Sequence, residues 1–152
     1  MKKGIAAMRF PYFFNKNFQI FTMKNVLAAI FLVIIFSFTS CVKEGTGGNA
    51  KIALWVKHHD KLIPGATVYI KYSAKEFPGD DVSLYDDSEV CGTTGEEEAH
   101  THFHDLNRGD YYLYAVGYDS AIAQTVKGGI PVEIKKADED GETDVDVPVT
   151  ED

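Results

Sequence analysis

The amino-acid sequence predicts an all-β domain, an antiparallel β-sandwich of about seven strands over residues 51–150. Three observations carry this. Apolar residues alternate with polar ones in short runs, the period-two pattern of a strand with one buried face. Clusters of Gly, Pro, Asn and Asp punctuate these runs roughly every ten residues. Beyond residue 50 no useful length of chain carries the 3.6-residue periodicity of an amphipathic helix. About 100 residues suffice for one two-sheet core and little more.

In chain order, Ile52, Leu54 and Val56 alternate with Ala53, Trp55 and Lys57 in a first strand, which His58, His59, Asp60 and Lys61 interrupt. Leu62 to Gly65 reads as a turn, since Pro64 fixes φ and Gly65 accepts positive φ. Ala66, Val68, Ile70 and Tyr72 give the apolar face of the next strand. Glu76 to Asp87 contains Pro78, Gly79 and four Asp residues and reads as a long acidic loop, followed by a short edge strand over Ser88–Gly92. The turn Thr93–Glu98 leads into a strand from Ala99 to His104. Ser120–Val126, ended by Lys127, Gly128 and Gly129, and Ile130–Ile134 form two further strands. An acidic turn at Ala137–Gly141 precedes a last strand in which Thr143, Val145, Val147 and Val149 share a face.

The stretch Phe103–Asp119 organises the rest. It reads as a hairpin with its turn at Asn107, Arg108 and Gly109, followed by a Tyr-rich strand suited to a pleated surface. Alternation sets Tyr111, Leu113 and Ala115 on the face shared with Phe103 and Leu106, the expected core, and Tyr112, Tyr114, Val116 and Tyr118 on the outer face.

Charge divides the chain. Residues 1–40 carry five Lys or Arg and no acidic residue, a balance of +5, and the remainder carries −13. An acidic body repels phosphate backbones and anionic lipid surfaces, which argues against nucleic acid as a partner. Membrane attachment needs another device, and residues 1–40 read as a leader that supplies one. Met23 and Lys24 open a short basic start, about 13 mainly apolar residues follow, and small residues precede Cys41. The apolar run is short for a membrane span and fits a secretory signal. The aromatic-rich residues 1–22 suit no leader, so translation is expected to start at Met23. Phe38-Thr39-Ser40-Cys41 resembles the lipobox of bacterial lipoproteins, in the loose form of Bacteroidota-type sequences. That resemblance implies that Cys41 is lipidated and becomes the mature N-terminus, in the cell envelope, on the periplasmic face or the outer-membrane surface. Residues 41–50, with Gly45, Gly47 and Gly48, then read as a flexible tether. Cys91 would be the one thiol left, with no internal disulfide available.

A second resemblance concerns the fold. Leu62-Ile63-Pro64-Gly65-Ala66-Thr67-Val68 resembles the opening of carboxypeptidase-regulatory-like domains. Thr93-Thr94-Gly95 and the spacing of Phe103, Leu106, Gly109, Tyr111 and Leu113 resemble their later signature. The resemblance implies a transthyretin-like (prealbumin-like) Greek-key sandwich, with Phe103, Leu106, Tyr111 and Leu113 in the core and Gly109 in a turn, and it implies a non-catalytic accessory module. The acidic stretch Phe77–Ser88 and the His-rich strand depart from the family pattern.

Three groups of residues could carry chemistry. His100, His102 and His104 occupy one face of a strand, their side chains roughly 7 Å apart along it. With Phe103 inward all three point out, onto the face expected for Tyr112, Tyr114 and Tyr118 of the hairpin partner. A His-x-His pair on a rigid strand can chelate Zn2+, Cu2+ or Ni2+, with His58 or His59 as further ligands. A polar outer face that uses His is the plainer alternative, and no cofactor is required by the sequence. Tyr112, Tyr114 and Tyr118 could meet a protein partner or stack on a glycan, although Tyr also simply favours strands. The acidic clusters match no EF-hand spacing. No phosphate loop, His-Glu-x-x-His motif or Gly-x-Ser-x-Gly elbow occurs. The sequence therefore reads as a non-enzymatic, lipid-anchored binding or assembly module of the envelope, with envelope metal handling through the His strand as the alternative.

Overall fold

The computed structural model describes residues 43–151. The leader, the expected start at Met23 and the candidate lipidation site Cys41 lie outside the described residues. The described chain holds nine strands: β1 (Thr46–His58), β2 (Lys61–Leu62), β3 (Thr67–Tyr72), β4 (Asp87–Val90), β5 (His100–Leu106), β6 (Gly109–Asp119), β7 (Gln124–Ile134), β8 (Glu142–Pro148) and β9 (Thr150–Glu151). Single 3-10 turns are its only helical pieces. The all-β sandwich expected from the alternation is what forms, with nine strands in place of about seven; β2 and β9 are two-residue strands too short to leave a periodic signal.

One sheet is centred on β1. It pairs antiparallel with β5 and β2 along one edge and parallel with β8 along the other. The parallel pair departs from the purely antiparallel expectation. The second sheet runs β4-β3-β6-β7-β9, antiparallel throughout. The apolar face of β1 (Ile52, Leu54, Val56) and Phe103, Leu106 and Val147 meet Val68, Ile70, Tyr111, Leu113 and Val126 of the other sheet in one core. Fully burying one Leu or Ile is worth about 1.5–3 kcal/mol, so these facing rows hold the two sheets together.

The hairpin expected at Asn107–Gly109 does not form. β5 pairs with β1, and β6 pairs with β3 and β7, so the turn carries the chain from one sheet to the other. Local bonds explain why. The Tyr111 hydroxyl donates to the Asn107 carbonyl at 2.6 Å. The Asn107 amide donates to the carbonyls of Lys43 and Thr46, each at 3.0 Å. The turn is thus tied to the N-terminal segment rather than closed by a β5–β6 ladder. Gly109, at φ 146°, packs against the Glu44 side chain where a Cβ would stand. The true long hairpin is β6–β7, in register from Gly109↔Ile134 to Asp119↔Gln124.

Two glycine runs also read differently in three dimensions. Lys127, Gly128 and Gly129 end no strand; β7 continues through them. A Cβ on Gly128 would meet the Pro148 carbonyl, and one on Gly129 would meet the Leu113 carbonyl and the Tyr112 ring. Close backbone approach, not turning, requires them. Residues Thr46–Ala50, expected in the tether, belong to β1. Gly48 lies against the Leu106 carbonyl, Ala50 is fully buried, and the Gly45 N–H donates to the Tyr111 hydroxyl at 3.1 Å.

Candidate functional site

The candidate residues lie on the two outer faces of the sandwich and at one buried end. The His strand and the Tyr strand, expected on one face, lie on opposite faces because β5 and β6 belong to different sheets.

On the β1 sheet, alternation does turn His100, His102 and His104 outward, since Phe103 joins the core; Leu106 also turns inward, past the left-handed Asp105 at φ 55°, which breaks the period. Cross-strand pairing sets His100 beside Trp55 and His102 beside Ala53. The His100 imidazole stacks flat on the Trp55 indole, centroids 4.2 Å apart and planes 9° apart. The His100 and His102 rings meet edge to face at 4.3 Å, and His104 stacks on His102 at 5.5 Å. A short 3-10 turn, Gly95–Glu97, brings the Glu97 carboxylate to 3.3 Å from His100 Nδ1. Ligand atoms of Glu97, His100 and His102 all lie within 4.8 Å of one another, and His104 is outside that group. His100 Nε2 is buried without a hydrogen-bond partner. Glu97 was missed in the sequence because it sits in an acidic turn of three consecutive Glu residues, and nothing local distinguishes the one that folds back.

On the β6 sheet, Tyr112 and Tyr114 point outward as expected, yet they are only 8% and 2% exposed; Tyr118, at 57%, is open. The cover is the acidic stretch read as a solvated loop. Phe77 packs on both Tyr112 and Tyr114, and Tyr85 stacks on Tyr114 at 5.5 Å. Its Asp residues are hydrogen-bonding parts of the cover. Asp80 accepts from the Tyr114 hydroxyl at 2.8 Å, Asp81 caps a 3-10 turn by accepting from the Ser83 N–H at 3.0 Å, and Asp86 accepts from the Tyr72 N–H at 2.7 Å. Burial pushes the Tyr85 phenol up to about 12. Phe77, Asp80, Tyr112, Tyr114 and Lys127 wall an open cleft of about 380 Å3 whose floor is Gly128 and Gly129. Asp80 and Lys127 face each other there at 3.6 Å.

The remaining sequence candidates, His58 and His59, do not reach the His strand. His58 continues the inward row of Ile52, Leu54 and Val56 and is 3% exposed. Its Nδ1 is 2.7 Å from Asp119 Oδ2 and its Nε2 is 2.7 Å from Glu151 Oε2. The bond to Asp119, then that to Glu151, holds the imidazole above its ordinary range against the opposing effect of burial. The His58 bond and the Ala121 N–H hold Asp119 below its own range. His59 sits at φ 47° beside Asp60 at φ 66°, the two central residues of a tight turn joining β1 to β2, and its ring is solvent-exposed. Both His58 nitrogens are committed to carboxylates, so the ring has no site from which to take a substrate proton. Cys91 is buried and its thiol is pushed up to about 11, far from a reactive thiolate.

A model of the C-terminal region of the capsule-biosynthesis GfcC family matches residues 40–89. The matched segment begins beside Cys41 and runs through β1, β2 and β3 into β4. No curated protein matches the chain.

Proposed function

We propose that this chain is a non-catalytic binding module of the bacterial cell envelope, held to the membrane through a lipid on Cys41 and engaged with a capsular glycan. The observation that carries the reading is the cleft over Gly128 and Gly129. Aromatic rings line it, and a carboxylate and an ammonium group stand at its side. A pyranose ring offers apolar C–H faces and a rim of hydroxyls, which such a mixed surface suits. The capsule-biosynthesis match over residues 40–89 supports the envelope setting, and the lipobox resemblance of Phe38–Cys41 supports the anchor. The first described residue tied to the fold is Lys43, whose carbonyl accepts from the Asn107 side chain at 3.0 Å, two residues from Cys41. An extended chain of that length spans roughly 7 Å, so a lipidated domain would work close to the membrane surface.

The test is affinity electrophoresis of the full chain through a gel containing capsular polysaccharide from the native host. Retardation by that polysaccharide, abolished in Phe77→Ala, supports the reading; equal migration with and without it overturns glycan binding. The anchor is tested separately: Cys41→Ser should move the protein from the detergent phase to the aqueous phase, and equal partitioning would contradict lipidation.

A further inference from the structure

We infer that Glu97, His100 and His102 form a three-ligand site for a divalent transition-metal ion of the Zn2+ class. This stands apart from the glycan cleft, which lies on the other sheet.

The ligand types fit. Two imidazoles and a carboxylate are the borderline nitrogen–oxygen set that Zn2+ takes, with one position left for water or a further ligand. The spacing fits as well. Ligand atoms at about 2.0–2.1 Å from a tetrahedral Zn2+ stand about 3.3–3.4 Å from one another. Glu97 Oε2 and His100 Nδ1 are already 3.3 Å apart, and Glu97, His100 and His102 each bring one ligand atom within 4.8 Å of the others. A rotamer adjustment of the His102 side chain closes the remainder.

The surroundings hold the ligands ready. Trp55 covers one face of the His100 imidazole and fixes the plane of the ring. The ring is sunk so far that Nε2 loses water and gains no partner. A desolvated nitrogen of this kind costs free energy that the imidazole's own hydrogen bonds do not offset. The nitrogen of His100 that faces Glu97 is Nδ1. The His100 and His102 rings meet edge to face with centroids 4.3 Å apart. Two imidazoles and a carboxylate converging at one point are stabilised by a cation between them. His104 stacks behind His102 and lies outside the ligand set.

Isothermal titration of the full chain, without a polyhistidine tag, with ZnCl2 at neutral pH tests the site. One Zn2+ per chain should bind, and Glu97→Ala and His102→Ala should each weaken it by at least about tenfold, since even outer-shell changes cost that much. Both side chains are at the surface of the fold, and the melting temperature without metal verifies that each variant remains folded. His104→Ala should bind as the parent does. Zn2+ should also raise the melting temperature of the parent and not that of His102→Ala. The proposal is overturned if the parent binds no Zn2+, if Glu97→Ala and His102→Ala bind as the parent does, if His104→Ala loses as much as His102→Ala, or if only His59→Ala abolishes binding, which would move the ion to the His58, His59 and Glu151 group.

Discussion

The two outer faces of this sandwich obey the same alternation and end in different states. On the β1 sheet, the outward imidazoles of β5 cover one another: His104 is exposed, His102 is half-buried, and His100 is sunk against Trp55. On the β6 sheet, the outward residues of β6 are roofed by the stretch between β3 and β4, and two of the three tyrosines become as buried as core residues. Period two decides which way a side chain points. What then covers it depends on whether another segment has apolar surface of its own to bury. Phe77 and Tyr85 give the acidic stretch that surface, and its Asp residues satisfy the backbone and hydroxyl groups the roof encloses.

The contrast predicts a steep order of mutational effects. Leu113→Ala should cost about 2–5 kcal/mol, as for any fully buried Leu. Tyr114→Ala, on the outer face, should fall in the same band of about 3 kcal/mol, because its ring is enclosed by Phe77 and Tyr85. Chemical denaturation measures both. A Tyr114→Ala loss below about 0.5 kcal/mol, the scale of an open surface site, would erase the difference between the faces. Gly129→Ala should come next, at about 1–3 kcal/mol of overpacking, since its Cβ would meet the Leu113 carbonyl, the Tyr112 ring and the Tyr114 backbone. A neutral result there would mean that β7 sits farther from β6 than the structure places it.

The sequence made the local faces legible. Ile52, Leu54 and Val56, and Tyr111, Leu113 and Ala115, all lie in the core as their alternation predicts. Phe103, Leu106, Tyr111 and Leu113, expected inside from the carboxypeptidase-regulatory-like resemblance, are likewise buried. Strand partners were not legible. Asn107, Arg108 and Gly109 reverse the chain equally well within one sheet or between two, and the choice was made by Tyr111 and Asn107 bonding to residues 43–46, over sixty positions away. Glycines misled for a related reason. Gly48, Gly128 and Gly129 are there for close contacts with distant backbone, and composition alone reads them as linkers or turns. The candidate metal site was legible in part: the His-x-His spacing pointed to two of the three grouped residues, and the third, Glu97, arrives from a different element.

His58 sharpens the comparison from the inside, because it is the histidine that the fold buries rather than displays. Its affinity for a proton is raised above the ordinary 6.5. The stability it contributes is therefore fully present below about 6.5 and lost as pH rises through its higher folded value. Asp119 and Glu151 have lowered values, so their contribution is present above the ordinary 3.8 and 4.5 and lost as pH falls through the folded ones. Melting temperature against pH should decline on the alkaline side in the parent and lose that decline in His58→Gln. Parallel profiles for the two proteins would mean that the bonds of His58 to Asp119 and Glu151 contribute nothing to stability. The smallest effect belongs to the open face: His104→Ala should change stability by no more than about 0.5 kcal/mol, and a larger loss would mean that the His row is covered as the Tyr row is.

The claim that the acidic stretch is a built roof over the β6 face is tested most directly by amide hydrogen exchange across residues 81–86 of the full chain. The Ser83 N–H donates to Asp81 Oδ1 at 3.0 Å, the Leu84 N–H to the Asp81 carbonyl at 3.0 Å, and the Asp86 N–H to the Ile70 carbonyl at 2.9 Å. These amides should exchange well below the rate of an unstructured peptide, and Phe77→Ala or Tyr114→Ala should release them. Exchange of all three at the unstructured rate in the parent would mean that the stretch is a solvated loop and that the aromatic cleft has no wall.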